Sequence, residues 1–157
     1  MANVQRYRRG EQKIYKGMID AGVKVEIGDL VALVSNYVVN AVNSGTTTVA
    51  GFKAVFLGVL IEGATAGTET VDTPCLVGVT GVYEFDLASA LGAALYPGKT
   101  IGPVAVSSVI QDQVVAGVAD RDTAIGLLAT QAAAGDLTLL VDIVSAIAGM
   151  PLLQPAA

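Results

Sequence analysis

Residues 74–86 read PCLVGVTGVYEFD, and their alternation indicates the fold class. Its side chains alternate between two faces. The apolar face carries Cys75, Val77, Val79, Tyr83 and Phe85, and the polar face carries Thr80, Glu84 and Asp86. A period of two is typical of β-structure with one buried and one solvated face. The stretch therefore predicts strand, with Cys75 as a buried and inert thiol.

Similar apolar runs, separated by glycine-rich turns, predict strands along most of the chain. They cover Asp29–Val34, Tyr37–Val42, Phe56–Ile61, Val104–Val106, Val114–Val118, Ala124–Thr130 and Asp136–Val144. In the last run, Leu137, Leu139, Val141 and Ile143 are expected to face the core. Consecutive hairpins of this kind indicate an all-β fold, a small barrel or sandwich.

Three shorter segments complete the predicted body. Asp86 can accept hydrogen bonds from free amides, so it is expected to cap one short helix over Leu87–Leu91. Thr46–Ala50 is β-prone and polar, which predicts an exposed strand or loop. Pro97-Gly98 predicts a tight turn, because proline fixes φ and glycine supplies a positive φ.

The two ends differ from this body in composition. Residues 1–24 are polar, basic and interrupted by glycine, which predicts an extended N-terminal arm or short edge strands. Residues 25–145 form the predicted barrel or sandwich, and residues 146–157 an apolar C-terminal tail with two prolines. The chain carries +4 up to Lys16, which leaves −9 for the remainder because the whole chain carries −5.

Composition argues for association and against catalysis. Hydrophobic residues make up 53% of the chain and charged ones only 15%, so we expect neighbouring subunits to cover part of the surface. The chain has no histidine and one cysteine, which removes the usual general base and any cysteine metal cluster. The apolar stretch 137–153 contains Asp142 and alternates like a strand, so no membrane span is expected. Without a recognisable signal peptide, synthesis and retention in the cytoplasm before assembly are expected.

No motif in the sequence supports an enzyme. Gly98-Lys99-Thr100 resembles the end of a phosphate-binding loop, but Ala93 stands where that motif needs glycine. Asp120-Arg121-Asp122 reads as a self-neutralised turn, and Glu84 and Asp86 lack the aromatic cleft of a glycosidase pair. We therefore predict no catalytic, cofactor-binding or metal-binding residues, and no nucleic-acid partner for the short basic arm.

Two parts of the chain resemble each other in sequence, and we call this match the sequence echo. Without a gap, residues 57–71 match residues 125–139 at Leu57-Gly58-Val59-Leu60 and Ile125-Gly126-Leu127-Leu128, and again at the small residues that follow. Either a repeated unit or a shared alanine and glycine composition would produce this match.

An ordered series of segments resembles a known family. The series runs Gly28–Leu33, Phe56–Val59, Val77–Phe85, Ala94–Gly98, Ala124–Leu128 and Ala134–Val141. This order is similar to that of the small capsid decoration, or cement, proteins of tailed bacteriophages. The resemblance implies a β-barrel or β-tulip-like fold and trimers seated outside the head, where they clamp major capsid subunits. It implies no cofactor.

The expected function is therefore a virion protein on the outer capsid surface. The arm residues Val4, Gln5, Arg6, Tyr7, Arg8 and Arg9 are predicted to dock on the capsid by strand addition and arginine–carboxylate pairing. Two alternatives remain: a tail-tube or head-completion subunit, which would form rings, and a carbohydrate-binding module that uses Tyr7, Tyr15, Tyr37 or Tyr96.

Overall fold

The computed structural model describes residues 6–63 and 72–147, which are mainly β-structure. The strands are β1 Tyr7–Arg9, β2 Ile14–Ile19, β3 Leu30–Val34, β4 Tyr37–Asn40, β5 Phe56–Glu62, β6 Thr73–Gly78, β7 Val82–Asp86, β8 Thr100–Val106, β9 Val109–Gly117, β10 Gly126–Leu128 and β11 Thr138–Ile143. One α-helix, α1, spans Val49–Val55, and a 3₁₀ turn spans Arg121–Thr123. The predicted all-β class with one short helix is confirmed.

The strands form two sheets, each of which closes on itself. The first is a closed barrel in the order β2-β4-β3-β5-β6. The second has the order β1-β7-β11-β10-β8-β9, and an additional pairing of β7 with β9 joins five of its strands into a ring. β1 lies outside that ring and pairs with β7 alone among the described strands. The body is thus two small barrels in succession along the chain.

The two barrels have the same connectivity. In each, the first strand pairs antiparallel with the fifth and parallel with the third, as β2 does with β6 and β4 and as β7 does with β11 and β9. In each, the second strand pairs with the third and fourth, and the fourth with the fifth. Between the third and fourth strands, the first barrel has α1 and the second has the 3₁₀ turn.

The two barrels also have turns at corresponding positions. Gly28 and Gly98, at φ values of +96° and +92°, precede the second strand of each barrel. The amide of Gly28 donates to the Leu60 carbonyl and that of Gly98 to the Leu128 carbonyl, at 2.8 and 2.9 Å. The following hairpins turn at residues 35–36 and 107–108, where all four residues have positive φ, as a tight two-residue β-turn requires. The described residues 57–60 and 125–128 of the sequence echo therefore occupy the same corner of their barrels.

Two hydrophobic cores hold this arrangement together. One fills the first barrel and includes Val31, Leu57 and Val77. The other fills the second barrel and continues beneath α1 and between the barrels, where it includes Leu30 and Ala32. β3 contributes to both cores, which is why Leu30, Val31 and Ala32 are all fully buried. The barrels thus share apolar contacts across their junction.

The alternation across residues 74–86 belongs to two strands, not one. β6 ends at Gly78 and β7 begins at Val82, and the two strands lie in different sheets. Val77 and Val79 face the first core, whereas Tyr83 and Phe85 face the second. Gly81, at φ +117°, provides the turn between them. The face assignments from the sequence are confirmed, but the stretch crosses from one barrel to the other.

Residues 6–24 are built into the body as two strands: β1 is a short edge strand, one of the two predicted alternatives, whereas β2 belongs to the first barrel and the extended arm does not occur over these residues. β1 pairs with β7, and all six residues of β2 pair with β6 as part of the first barrel. Ile19 keeps only 1% of its surface exposed. The reason is that alternate residues of β2 supply apolar surface to the first core, despite the glycines nearby. Residues 1–5 lie outside the described residues.

The helix occurs elsewhere than predicted. Thr48 caps α1, its hydroxyl accepting from the Gly51 amide, and Phe52 is buried against Phe56 with ring centroids 5.8 Å apart. The prediction of strand or loop for Thr46–Ala50 was therefore wrong at its end, and no helix forms over Leu87–Leu91. The carboxylate of Asp86, which was to cap that helix, pairs with an arginine instead.

The last described residues continue past the second barrel. Leu139, Val141 and Ile143 of β11 are buried as predicted, but Leu137 lies before the strand and keeps 63% of its surface exposed. Ile147 packs against the core of the first barrel. The rest of the predicted tail, residues 148–157, lies outside the described residues.

Candidate functional site

Arg6 of the predicted docking arm is buried at the junction of the barrels. Its side chain is 4% exposed, and Nη2 donates to Asp86 Oδ2 at 2.9 Å and to Gln113 Oε1 at 2.5 Å. The buried Nε has no hydrogen-bond partner among the described residues. Arg6 is therefore committed to its own chain and is not presented to a partner.

The neighbouring arm residues also contact their own chain. Tyr7 packs edge-on against Tyr83, with ring centroids 5.7 Å apart. Arg8 forms an ion pair with Glu84 at 2.8 Å, and Arg9 donates to the Thr130 hydroxyl. Val4 and Gln5 lie outside the described residues. The acidic face of β7 thus provides the carboxylates that the sequence analysis expected on a capsid.

A polar network extends from Arg6 across the junction. The side-chain amide of Gln113 in β9 accepts a hydrogen bond from Arg6 at Oε1. Its Nε2 donates to Asp29 Oδ1 at 2.7 Å. The other oxygen of Asp29 accepts from the Glu26 amide at 2.8 Å. Burial raises the pKa of Asp29, and the hydrogen bond from Gln113 partly offsets this. Gln113 therefore ties β9 of the second barrel to the entry of β3 in the first.

Asp112 forms a second polar link beside the first. Its carboxylate accepts from the Val42 amide at 2.9 Å and from Asn40 Nδ2 at 3.2 Å. Burial raises the pKa of Asp112 to about 6, and the charges of Asp29 and Glu26 contribute in the same direction. These groups surround a cavity of about 140 Å³. Among residues 6–63 and 72–147, no group of three or more potential ligands could hold a metal ion.

This network was not predicted from the sequence, although a signal for it was present. Gln111-Asp112-Gln113 interrupts an otherwise apolar strand, β9, and Gln113 is 2% exposed. Buried polar side chains are normally hydrogen-bonded, so a polar group at a core position predicts a partner elsewhere in the fold. That partner could not be identified because Asp29 lies 84 positions away in the sequence.

The remaining sites of chemical interest have structural roles. Gly98-Lys99-Thr100 forms the turn into β8, and a strand follows where a phosphate-binding loop needs a helix. Asp120 caps the 3₁₀ turn by accepting from the Asp122 amide at 2.8 Å. Cys75 is buried as predicted, and burial raises the pKa of its thiol to about 11. A thiol with this pKa is protonated at neutral pH and is a poor nucleophile.

An apolar concavity lies beside α1, and we call it the α1 groove. It has a volume of about 320 Å³ and is lined by Lys53, Thr100, Arg121, Ala124, Gly126, Leu127, Val144, Ser145 and Ala146. Leu127 and Val144 keep 43% and 57% of their surface exposed. Lys53 and Arg121 place two positive charges at this apolar surface. Such a combination suits contact with a partner that is apolar and acidic.

The tyrosines do not form a common platform. Tyr7 packs against the core of the second barrel and Tyr15 against that of the first. The Tyr37 hydroxyl donates to Asp72 at 2.8 Å, and Tyr96 alone among the four is largely exposed, at 63%. A sugar-binding site usually stacks its ligand on neighbouring rings, and this arrangement does not provide them.

Comparison with known proteins adds no family. Neither a protein-family model nor a curated protein matches the chain. Within the residues that the structure describes, no helix combines the length and the apolar character needed to cross a membrane.

Proposed function

We propose that this protein is a capsid decoration, or cement, protein of a tailed bacteriophage. It binds the outer surface of the head as a homotrimer and stabilises the contacts between major capsid subunits. The ordered segments from Gly28 to Val141 that resemble this family support the proposal. No cofactor takes part. The protein is made in the host cytoplasm and is located on the virion surface.

The observation that carries the proposal is the α1 groove on a body whose barrels are filled. Leu127 and Val144 leave apolar surface in contact with water although both barrel interiors are packed with side chains. Covering such surface gains about 25 cal/mol for each Å² removed from water. A protein of this kind works by adhesion, because the apolar surface that remains to be covered lies on the outside of the barrels.

The mechanism is mechanical. A trimer that contacts several capsid subunits adds interface area, so rupture of the shell must separate more surface. Stable interfaces bury roughly 800 Å² on each partner. The positive charges of Lys53 and Arg121 would pair with capsid carboxylates, and this contribution weakens as salt is added. The wall formed by Leu127 and Val144 supplies the contribution that salt does not weaken.

The test compares two leucine variants in head-binding assays. Leu127→Asp places a charge in the α1 groove, whereas Leu137→Asp places one at an exposed leucine outside it. Purified heads stripped of decoration protein are titrated with each variant, and bound protein is measured after sedimentation. We expect about a tenfold or greater loss for Leu127→Asp, because burying an unpaired carboxylate against apolar surface costs more than the roughly 1.4 kcal/mol that corresponds to a tenfold change. Equal binding by both variants would remove the groove from the docking surface.

Mass photometry separates this function from its alternatives. The proposal requires trimers, either in solution or on the head. A tail-tube or head-completion subunit would form rings of higher order. Binding on a glycan array that depends on Tyr96 would favour the carbohydrate-binding alternative.

A further inference from the structure

The two barrels differ at one edge of their first strands. In the second barrel, β1 runs antiparallel along β7, and the Glu84 amide donates to the Arg6 carbonyl at 2.8 Å. The corresponding strand of the first barrel is β2. Among the described residues, the only backbone pairing of β2 with a strand on that side is the single pair Ile19–Val38 with β4. A strand that covers one barrel therefore has no described counterpart on the other.

Strand register establishes which residues correspond. Ile14 pairs with Gly78 as Val82 pairs with Asp142. The equivalent glycines, Gly58 and Gly126, lie against the carbonyls of Gly78 and Asp142. Residues 14, 16 and 18 of β2 thus correspond to residues 82, 84 and 86 of β7.

Most of the main chain of β2 has no paired strand at this edge among residues 6–63 and 72–147. The Val79 amide donates to the Lys13 carbonyl, so odd-numbered residues of β2 turn their backbone groups toward β6. In an antiparallel pair these directions alternate, and the backbone groups of Ile14 and Lys16 therefore point away from β6. Ile14 and Met18 are 42% and 39% exposed, and Lys16 is exposed. This edge is accessible along about three residues.

We propose that this edge of β2 accepts an extended segment of another polypeptide as an added antiparallel strand. Strand addition uses the main-chain groups of the edge for affinity and the side chains beside it for specificity. The second barrel shows the geometry, because β1 occupies the equivalent edge of β7. The proposal goes beyond the function given above, since it holds whether or not the partner is a capsid subunit.

Charge defines the chemistry of the incoming strand. On β7 the edge carries Glu84, and the strand that covers it supplies Arg8 at 2.8 Å. On β2 the equivalent position carries Lys16, so the sign is reversed and the partner strand should bear a carboxylate there. Its neighbours should be apolar, to pack beside Ile14 and Met18. The uncharged segment 148–157 of this chain does not meet that requirement.

Amide hydrogen exchange and two peptides test the proposal. The probes are a seven-residue peptide of alternating valine and glutamate and its valine–lysine counterpart. In the full-length protein alone, the Lys16 amide should exchange at least about a hundredfold faster than the hydrogen-bonded Glu84 amide. The glutamate peptide should slow exchange at Lys16, and the lysine peptide should not. Lys16→Glu should reverse this preference, whereas Lys99→Glu, a matched change at an exposed lysine of the second barrel, should leave it unchanged.

Two results would overturn the proposal. The first is a Lys16 amide as protected as the Glu84 amide in the protein alone, because the edge would then be covered by the chain itself. The second is equal protection by both peptides, or none by either. Head binding by the groove variants is measured separately, so failure here is distinguishable from failure of the proposed function.

Discussion

Replacing Gly58 or Gly126 with alanine should destabilise the protein to a similar extent, because the two glycines occupy the same corner of the two barrels. A Cβ on Gly126 would collide with the Asp142 carbonyl oxygen and lie 2.8 Å from Val141 Cγ1. A Cβ on Gly58 would collide with the Gly78 carbonyl oxygen and lie 3.0 Å from Val77 Cγ1. In both cases the main obstacle is backbone, which cannot rotate away.

The magnitude follows from the cost of overpacking. Both glycines are buried, and an added methyl group in a packed interior costs typically 1–3 kcal/mol, so a backbone collision should reach about 3 kcal/mol. For a chain of this size that corresponds to a fall in Tm of about 10 °C. Gly92→Ala is the control, because a Cβ there meets nothing within 4 Å and its φ is not positive. It should change stability by less than about 0.5 kcal/mol.

Urea unfolding followed by far-ultraviolet circular dichroism measures all three variants. If Gly126→Ala proved as stable as Gly92→Ala while Gly58→Ala was destabilised, the two corners would not be equivalent. The correspondence on which the β2 edge rests would then fail as well.

Other residues give further outcomes. Arg6→Ala should lower the free energy of urea unfolding by about 2–4 kcal/mol, because it leaves Gln113 and Asp86 without their buried partner. Arg8→Ala, at an exposed ion pair, should lower it by less than about 1 kcal/mol. Equal effects of the two changes would contradict the buried role of Arg6. Because the pKa of Asp112 is raised from 3.8 to about 6 on folding, the folded state binds more protons in that interval, and this group's contribution to stability falls as pH rises from about 4 to about 6. Asp112→Asn should therefore flatten the pH dependence of the urea midpoint by on the order of 1 kcal/mol, after allowing for partial exposure, and an unchanged slope would count against the buried carboxylate. Cys75 should react with a thiol reagent only on unfolding, and rapid labelling of the native protein would show that the first core is open.

The local pattern of the sequence was sufficient to predict most strands. Leu139, Val141 and Ile143 lie on the buried face of β11 as the alternation predicts, because side-chain direction in a strand depends on nothing beyond the strand itself. The prediction that Leu137 is buried is wrong because the strand begins one residue later, at Thr138. Strand ends depend on pairing partners, which periodicity does not contain.

The division into two barrels could not be predicted from local pattern. Residues 74–86 keep one alternation although Gly78 and Val82 belong to different sheets. Which sheet a strand joins is decided by long-range pairing, and the short turn between β6 and β7 leaves no change in composition. The echo between residues 57–71 and 125–139 was the one sequence feature that pointed to a repeated unit.

The chemistry predicted for the arm occurs within its own chain. Arginine–carboxylate pairing was expected for Arg6 and Arg8, and the polar face with Glu84 and Asp86 was identified from the alternation. The structure joins these two features within one chain at 2.9 and 2.8 Å. The helix predicted over Leu87–Leu91 does not form, since Asp86 binds Arg6 and is not available as a cap. Partners far apart in sequence, which local pattern does not contain, explain both the internal pairing and the missing helix.

We propose that this protein decorates the outside of a phage head, and a cryo-EM reconstruction of virions shown by mass spectrometry to contain the chain tests this location. We expect trimeric density on the outer head surface, with two barrels for each subunit and the α1 groove against the major capsid protein. Density for the chain in the tail or at the head–tail connector, with a bare outer head surface, would contradict it.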